Sequence, residues 1–243
     1  MALTATLEEQ QRLLELQRLD SDTDAARTQM GRLRSDEQLR ELNTQANAIA
    51  AEETELSGAA DTARTELATA EERVERTQAR RDQTRSRLDA GQGGAKELQN
   101  MGHELETLES LLQDHEEQQL AAMENAETAE DALAEASTRL AAVRDQVNAR
   151  EQHVQAELQE VAGRGKALLA QRAELAALLP ETLIAAYERA RERNGGIGAA
   201  RLEGNISGAS GMALSPVELE AIQALEPTEV ARCPETDALL IRP

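Results

Sequence analysis

A chain of 243 residues with no Phe, no Trp and a single tyrosine, Tyr187, cannot build a conventional globular core, which takes much of its buried area from aromatic rings. Its formal net charge of −20, from 46 acidic against 26 basic residues, disfavours broad binding to nucleic acid or to an anionic membrane. No stretch approaches the ~20 apolar residues of a membrane span, the start MALTATLEEQ lacks the features of a signal peptide, and the lone Cys233 can form no internal disulfide, so a cytoplasmic protein is expected.

Ala, Leu, Glu, Arg and Gln dominate, the composition of long helices and coiled coils. A helical pattern begins near Leu7, with Thr4 or Thr6 as N-cap ahead of Glu8 and Glu9, and runs to Leu88. It carries one heptad series at Leu42, Ile49, Leu56, Ala63 and Ala70. A second lies at Ala46, Ala60, Leu67, Val74 and Leu88, interrupted by Glu53 and Arg81. Gly31 and Gly58 each cost ~1 kcal/mol against Ala in a helix interior and mark points of local bending or weakening.

The run Ala90-Gly91-Gln92-Gly93-Gly94-Ala95 ends this helix and permits a reversal, a hairpin tip at about 90–96. Beyond it every seventh residue reads Leu98, Leu105, Leu112, Gln119, Ala126, Leu133, Leu140, Val147, Val154, Val161, Leu168, Leu175. Eleven apolar positions of twelve predict a left-handed supercoil against a partner helix. With Leu88 facing Leu98, residue i lies level with residue 186 − i, and the two arms match at roughly 120 Å of helix. Charge supports the pairing. Residues 104 to 135 hold eleven Asp or Glu and no Lys or Arg, whereas 73 to 87 hold six arginines.

Pro180 should break the second helix, and Glu181 to Arg193 reads as a short helix bearing Leu183, Ile184 and Tyr187. After Asn194-Gly195-Gly196 a tail follows, with two candidate hairpins and a helix from Pro216 to Leu225. The expected fold class is all-α: a long antiparallel coiled-coil hairpin with a small β-containing module at its C-terminal end. The segments are 1–179 hairpin, 180–196 short helix and linker, and 197–243 tail.

Leu214-Ser215-Pro216-Val217-Glu218-Leu219 and Glu229-Val230-Ala231-Arg232-Cys233 in the tail, Lys96-Glu97-Leu98 and His103-Glu104-Leu105 at the tip, and Pro180 through Tyr187 with the glycines after it carry a resemblance over nearly the whole chain. The chain resembles the bacterial family, labelled by its chlamydial member, in which a coiled-coil hairpin precedes a C4-type zinc ribbon. The resemblance implies a ribbon with two Cys-x-x-Cys knuckles. Here those positions read Ser207, Ser210, Cys233 and Thr236, so three of four thiolates are replaced. A structural zinc needs four good ligands, and His103, His115 and His153 all lie on the second helix, so a degenerate, metal-free tail with no cofactor is expected. Losing a term worth ~10 kcal/mol or more, the tail would need a minimal core of Ile206, Met212, Leu214, Leu219, Ile222, Leu225, Val230, Leu239, Leu240 and Ile241 docked on the helices. For flagellated members the resemblance implies a chaperone or regulator of the alternative sigma-54 factor, with flagellar messenger RNA as a further ligand.

Candidate sites are few. Arg73, Arg76, Arg80 and Arg87 could form a phosphate-binding strip, but Glu104, Glu106 and Glu109 are expected opposite them and no aromatic residue lies nearby for base stacking. His115 falls on the second heptad series after Met101 and Leu108. It lies over 15 Å along the helix from His103, too far to share a metal, an estimate from ~1.5 Å of rise per residue. The tip glycines match no phosphate-binding loop, and Cys233 has no neighbouring base. At the tip, Lys96, Glu97, Gln99, Asn100 and His103 are the candidate contacts for a protein partner. The expected function is a non-enzymatic adaptor or chaperone-like protein binding a protein partner, and the resemblance points to transcription regulation as its setting. The alternatives are a nucleic-acid binder using the arginine strip and ribbon, and a self-associating spacer, for which a homodimer is the partner.

Overall fold

The computed structural model describes residues 3–243; Met1 and Ala2, the first two residues of the expected 1–179 segment, lie outside the described residues. Five helices and four short strands follow in the order α1 (Leu7–Arg34), α2 (Glu37–Asp89), α3 (Ala95–Ala176), α4 (Glu181–Arg193), β1 (Ala199–Glu203), β2 (Ile206–Ser207), α5 (Pro216–Gln223), β3 (Ala231–Arg232) and β4 (Leu239–Ile241). The chain divides into two compact units, Glu37–Arg150 on the one hand and Met1–Asp36 with Glu151–Pro243 on the other. The expected 1–179 hairpin is thus shared between units, and its two ends join the tail.

The break between α1 and α2 falls at Ser35 and Asp36, not at Gly31 or Gly58, both of which stay helical. At this end the Ser35 hydroxyl donates to the carbonyls of Gly31 at 3.1 Å and Arg32 at 3.3 Å, and its amide to the Arg32 carbonyl at 3.1 Å, which tightens the last turn of α1.

In the unit Glu37–Arg150, side chains link α2 to α3 along an antiparallel seam. Arg80 pairs with Glu104 at 2.6 Å, Arg85 with Glu109 at 3.1 Å, Arg64 with Glu130 at 2.6 Å and Arg139 with Glu52 at 2.7 Å. The α3 stripe is buried or half-buried at all twelve positions, Leu98 to Val147 within this unit and Val154 to Leu175 within the other. On α2 the first series continues past Ala70 to Thr77 and Thr84, both buried. The register differs from the expected one. The Ser137 hydroxyl donates to Glu53 at 2.6 Å where residue 49 was expected, and Thr77 meets His115 where residue 109 was expected, a slip of roughly one to two helical turns. A glycine-rich tip leaves the level of the two helices free, and contacts along the seam fix it instead.

In the other unit a capping box starts α1: the Glu9 amide donates to the Thr6 hydroxyl at 3.2 Å, and the Thr6 amide to the Glu9 carboxylate at 2.7 Å. Thr4, the other candidate cap, instead bridges antiparallel to Glu229, and the flanking bonds Ala5 N–H to Thr228 O (2.8 Å) and Val230 N–H to Leu3 O (2.9 Å) lace the N-terminal segment to the tail. The sheet order is β2-β1-β4-β3. The hairpins β1/β2 and β3/β4 are antiparallel, and β1 joins β4 in parallel with Ala199 opposite Leu239. One core gathers Leu13 and Leu16 of α1, Leu183 and Tyr187 of α4, and Ala199, Val230, Leu239 and Ile241 of the tail. A second holds Leu202, Leu214, Ile222, Ala231, Cys233 and Leu240. Ile206 and Met212, expected in the core, are exposed. Ile206 sits on the two-residue edge strand, with its face toward solvent.

Arg242 closes the far side of this module. Its guanidinium donates to the carbonyls of Ile222 (3.1 Å), Leu225 (2.7 Å), Glu226 (2.6 Å) and Glu229 (2.8 Å), tying the end of α5 to the turn that follows it. We expect Arg242→Ala to cost about 1.5–3 kcal/mol in chemical denaturation, the range for hydrogen bonds to a charged group, while Arg232→Ala, whose partner Asp237 is exposed, costs under about 1 kcal/mol.

Candidate functional site

The tip is built by α2 ending and α3 beginning within a few residues. The Gln92 amide donates to the Arg87 carbonyl at 3.2 Å and the Gly91 amide to Leu88 at 3.0 Å, with Gly91 at φ 63°, a conformation glycine adopts without a Cβ penalty. Glu97 then reaches back to the Gly94 amide at 2.8 Å and caps α3. Of the expected contact residues, Glu97 is therefore committed to the fold. Lys96, Asn100 and His103 are exposed, at i, i+4 and i+7 on one face of α3. His103 lies 3.5 Å from Glu106 of its own helix. Glu97→Gln should lower stability by about 1 kcal/mol or less and speed amide exchange at Gly94 and Glu97 without altering the rest of the unit, as hydrogen exchange would resolve.

Half of the arginine strip, Arg76 and Arg80, is paired with carboxylates, as is the neighbouring Arg81. Arg80 pairs with Glu104, Arg76 with Glu72 on its own helix, and Arg81 with Asp82. Among the described residues, Arg73 and Arg87 form no ion pair; Arg73 lines a shallow groove with Thr62, Thr65, Thr69 and Gln118. His115 is half-buried in the seam, its Nδ1 3.0 Å from the Thr77 hydroxyl.

Two six-residue turns of the tail, Ser207–Met212 and Cys233–Ala238, share one hydrogen-bond pattern. In each, the first amide donates to the sixth carbonyl (Ser207 to Met212, 2.9 Å; Cys233 to Ala238, 2.8 Å). The fifth amide donates to the first carbonyl (Gly211 to Ser207, 2.8 Å; Asp237 to Cys233, 2.9 Å). The sixth amide donates to the hydroxyl of the fourth residue (Met212 to Ser210, 3.2 Å; Ala238 to Thr236, 3.4 Å). The fifth residue is left-handed in both, Gly211 at φ 70° and Asp237 at φ 58°. The turns bring Ser207 and Cys233, both buried, into contact: the Ser207 hydroxyl donates to the Cys233 sulfur at 3.2 Å. Burial alone would raise the Cys233 thiol. The hydroxyls of Ser207 and Thr236 and the amides of Thr236 and Glu235 outweigh it and hold the thiol below its ordinary value. This donor set does not fit zinc. Three of the four positions are neutral hydroxyls, and the one buried against the sulfur spends its proton on it.

Around Asp20 lies a buried polar node that the heptads did not predict. The Tyr187 hydroxyl donates to Asp20 at 2.8 Å, Arg172 of α3 donates at 2.6 and 3.3 Å, and Arg191 of α4 approaches within 3.6 Å. Arg172 also pairs with Glu188, and Arg191 with Asp24 at 2.6 Å. Gln17 completes the node. Its side-chain carbonyl accepts from the amides of Gly198 (2.7 Å) and Ala199 (3.2 Å), and its amide donates to Gly196 O at 2.8 Å. Burial first, and then the bond to Asp20, push Tyr187 well above the ordinary phenol range. The node ties α1, α3, α4 and β1 together within the unit; its signal in the sequence was a carboxylate, Asp20, standing where the spacing of Leu13 and Leu16 calls for an apolar residue.

Comparison with known proteins accounts for the helices of this architecture. The CT398-like coiled coil hairpin domain matches residues 16–195. The chain belongs to that family. An uncharacterized protein of Mycobacterium tuberculosis is 30% identical over 240 residues, 99% of this chain and 98% of the relative. A Mycobacterium smegmatis structure superposes with a TM-score of 0.82 at 28% identity, covering 99% of this chain and 100% of that one. CT398 from Chlamydia trachomatis has a TM-score of 0.63 at 16% identity, covering 97% and 98%, and so shares the fold. Among the described residues no helix is long and apolar enough to cross a membrane.

Proposed function

We propose that the chain is a non-enzymatic, cytoplasmic coiled-coil adaptor that holds a protein partner through the tip of its hairpin. The observation that carries this reading is the face formed by Lys96, Asn100 and His103. These side chains follow one another along the first turns of α3, are exposed, and are not spent on the tip's own capping, which Glu97 performs. Elsewhere five of the buried polar side chains, Gln10, Asp20, Thr23, Thr77 and Ser207, bond to the fold's own groups, as structural residues do. The pairing of Arg76 and Arg80 with carboxylates weakens the case for a phosphate strip.

The test compares the wild-type chain with Lys96→Ala/Asn100→Ala/His103→Ala, leaving Glu97 in place so that the helix start is kept. Truncating the tail would instead expose Leu13, Leu16 and Tyr187 and confuse misfolding with lost recognition. Cross-linking from cytosol followed by mass spectrometry should recover one stoichiometric protein, joined at α3 near the tip, whose yield falls at least about tenfold in the variant. Recovery of the same protein by both chains overturns the tip as the site. Nuclease-sensitive material lost steeply with salt would establish the nucleic-acid reading instead, and recovery of the chain alone the self-associating one.

A further inference from the structure

We propose that the two matching turns of the tail are a metal knuckle pair converted to a metal-independent clasp, in which the Ser207 hydroxyl and the Cys233 sulfur bond directly where an ion would stand. The matched hydrogen-bond pattern carries the inference. Ser207-x-x-Ser210 and Cys233-x-x-Thr236 occupy equivalent first and fourth places of two turns, each closed by the same first-to-sixth and fifth-to-first backbone bonds and each with a left-handed fifth residue. In the first turn the amide two residues on is aimed at the first side chain: Ala209 N–H donates to the Ser207 hydroxyl at 3.3 Å. An amide turned toward this side chain would stabilise a thiolate there; here it serves a hydroxyl, which needs no such partner. The scaffold is that of a four-donor cage, and the donors are not.

What holds the tail in place of metal is visible around the clasp. Val230, Leu239 and Ile241 pack with Leu13, Leu16 and Tyr187, and the Leu3–Ala5 segment bonds to Thr228 and Val230. A zinc module of this size draws its folding free energy from the ion. This one draws it from the helices, which fixes its folding to theirs.

The experiment uses the full-length chain. The wild type, purified in the presence of zinc and then dialysed, should hold far less than one metal per chain and should melt at the same temperature with or without a chelator. Stoichiometric zinc, or a chelator-dependent melting temperature, overturns the proposal. The variant Ser207→Cys/Ser210→Cys/Thr236→Cys should take up one Co²⁺ per chain with the absorption of tetrahedral thiolate coordination, and zinc should raise its melting temperature. A folded triple variant that binds no cobalt overturns the cage reading. Where the triple variant fails to fold, Ser207→Cys/Thr236→Cys supplies three thiolates with Cys233 and should bind cobalt more weakly; no binding by that folded variant counts the same way. In the native background Ser207→Ala removes the clasp and should speed exchange of the Cys233 and Asp237 amides roughly tenfold, and unchanged exchange would mean the contact holds nothing.

Discussion

Asp20→Asn should be among the most damaging single changes in the chain, at about 3 kcal/mol, the low end of the cost of breaking a buried ion pair. The side chain of Asp20 is 4% exposed and faces two guanidiniums and a phenol; the amide keeps its shape but removes the charge and replaces an acceptor with a donor aimed at other donors. Arg172 keeps Glu188 and Arg191 keeps Asp24, which is why the low end applies. The neighbouring Asp24→Asn is the control. Asp24 is 41% exposed, so its loss should cost under about 1 kcal/mol. The composition supplies a selective probe: with no Trp and no Phe, near-ultraviolet signal comes from Tyr187 alone, within the unit that contains Asp20, while far-ultraviolet circular dichroism reports both units. Urea titration of Asp20→Asn should move the tyrosine transition to lower denaturant and leave the part of the far-ultraviolet change belonging to Glu37–Arg150 in place. Equal shifts for Asp20→Asn and Asp24→Asn would show that the node is not buried in solution.

The helices were legible because a heptad repeat is a direct imprint of packing: each of the twelve α3 stripe positions is withdrawn from solvent, and Pro180 and the tip glycines end their helices where proline and glycine chemistry requires. What was hidden is polar. Thr77 continues the α2 series, but a hydroxyl reads as a surface group; its back-bond to the Arg73 carbonyl at 2.8 Å satisfies the donor and lets the methyl pack. The Asp20 node was hidden because its members, Gln17, Asp20, Arg172, Tyr187 and Arg191, are scattered over the chain, and only the fold brings them together. The tail's two hairpins were readable from turn residues and α5 as a helix starting at Pro216, with the Ser215 cap seen only in the structure. Their parallel joining through β1 and β4 was not, since a parallel pair leaves no local trace.

Tyr187 should show how far the single aromatic side chain supports its unit. It is fully buried between α1, α4 and β1, and Tyr187→Ala should cost about 3–5 kcal/mol, the loss for a large aromatic in a core that cannot close over the gap. Tyr187→Phe keeps the ring and loses one hydrogen bond to Asp20, which retains Arg172, so about 1–1.5 kcal/mol is expected. Gly198 tests the same contact from the other side. A Cβ there would lie 2.6 Å from the Tyr187 ring and 2.7 Å from its carbonyl oxygen, so Gly198→Ala should cost about 1–3 kcal/mol by overpacking. The two changes should not add. Removing the ring clears part of the space that the new methyl needs, whereas the carbonyl oxygen stays, so Tyr187→Ala/Gly198→Ala should fall short of the sum by about 1 kcal/mol while remaining less stable than Tyr187→Ala alone. Denaturation followed in the far ultraviolet gives all four corners of this cycle. Simple additivity would mean that the glycine is required by its own backbone, and full rescue that the ring alone excludes a side chain at Gly198.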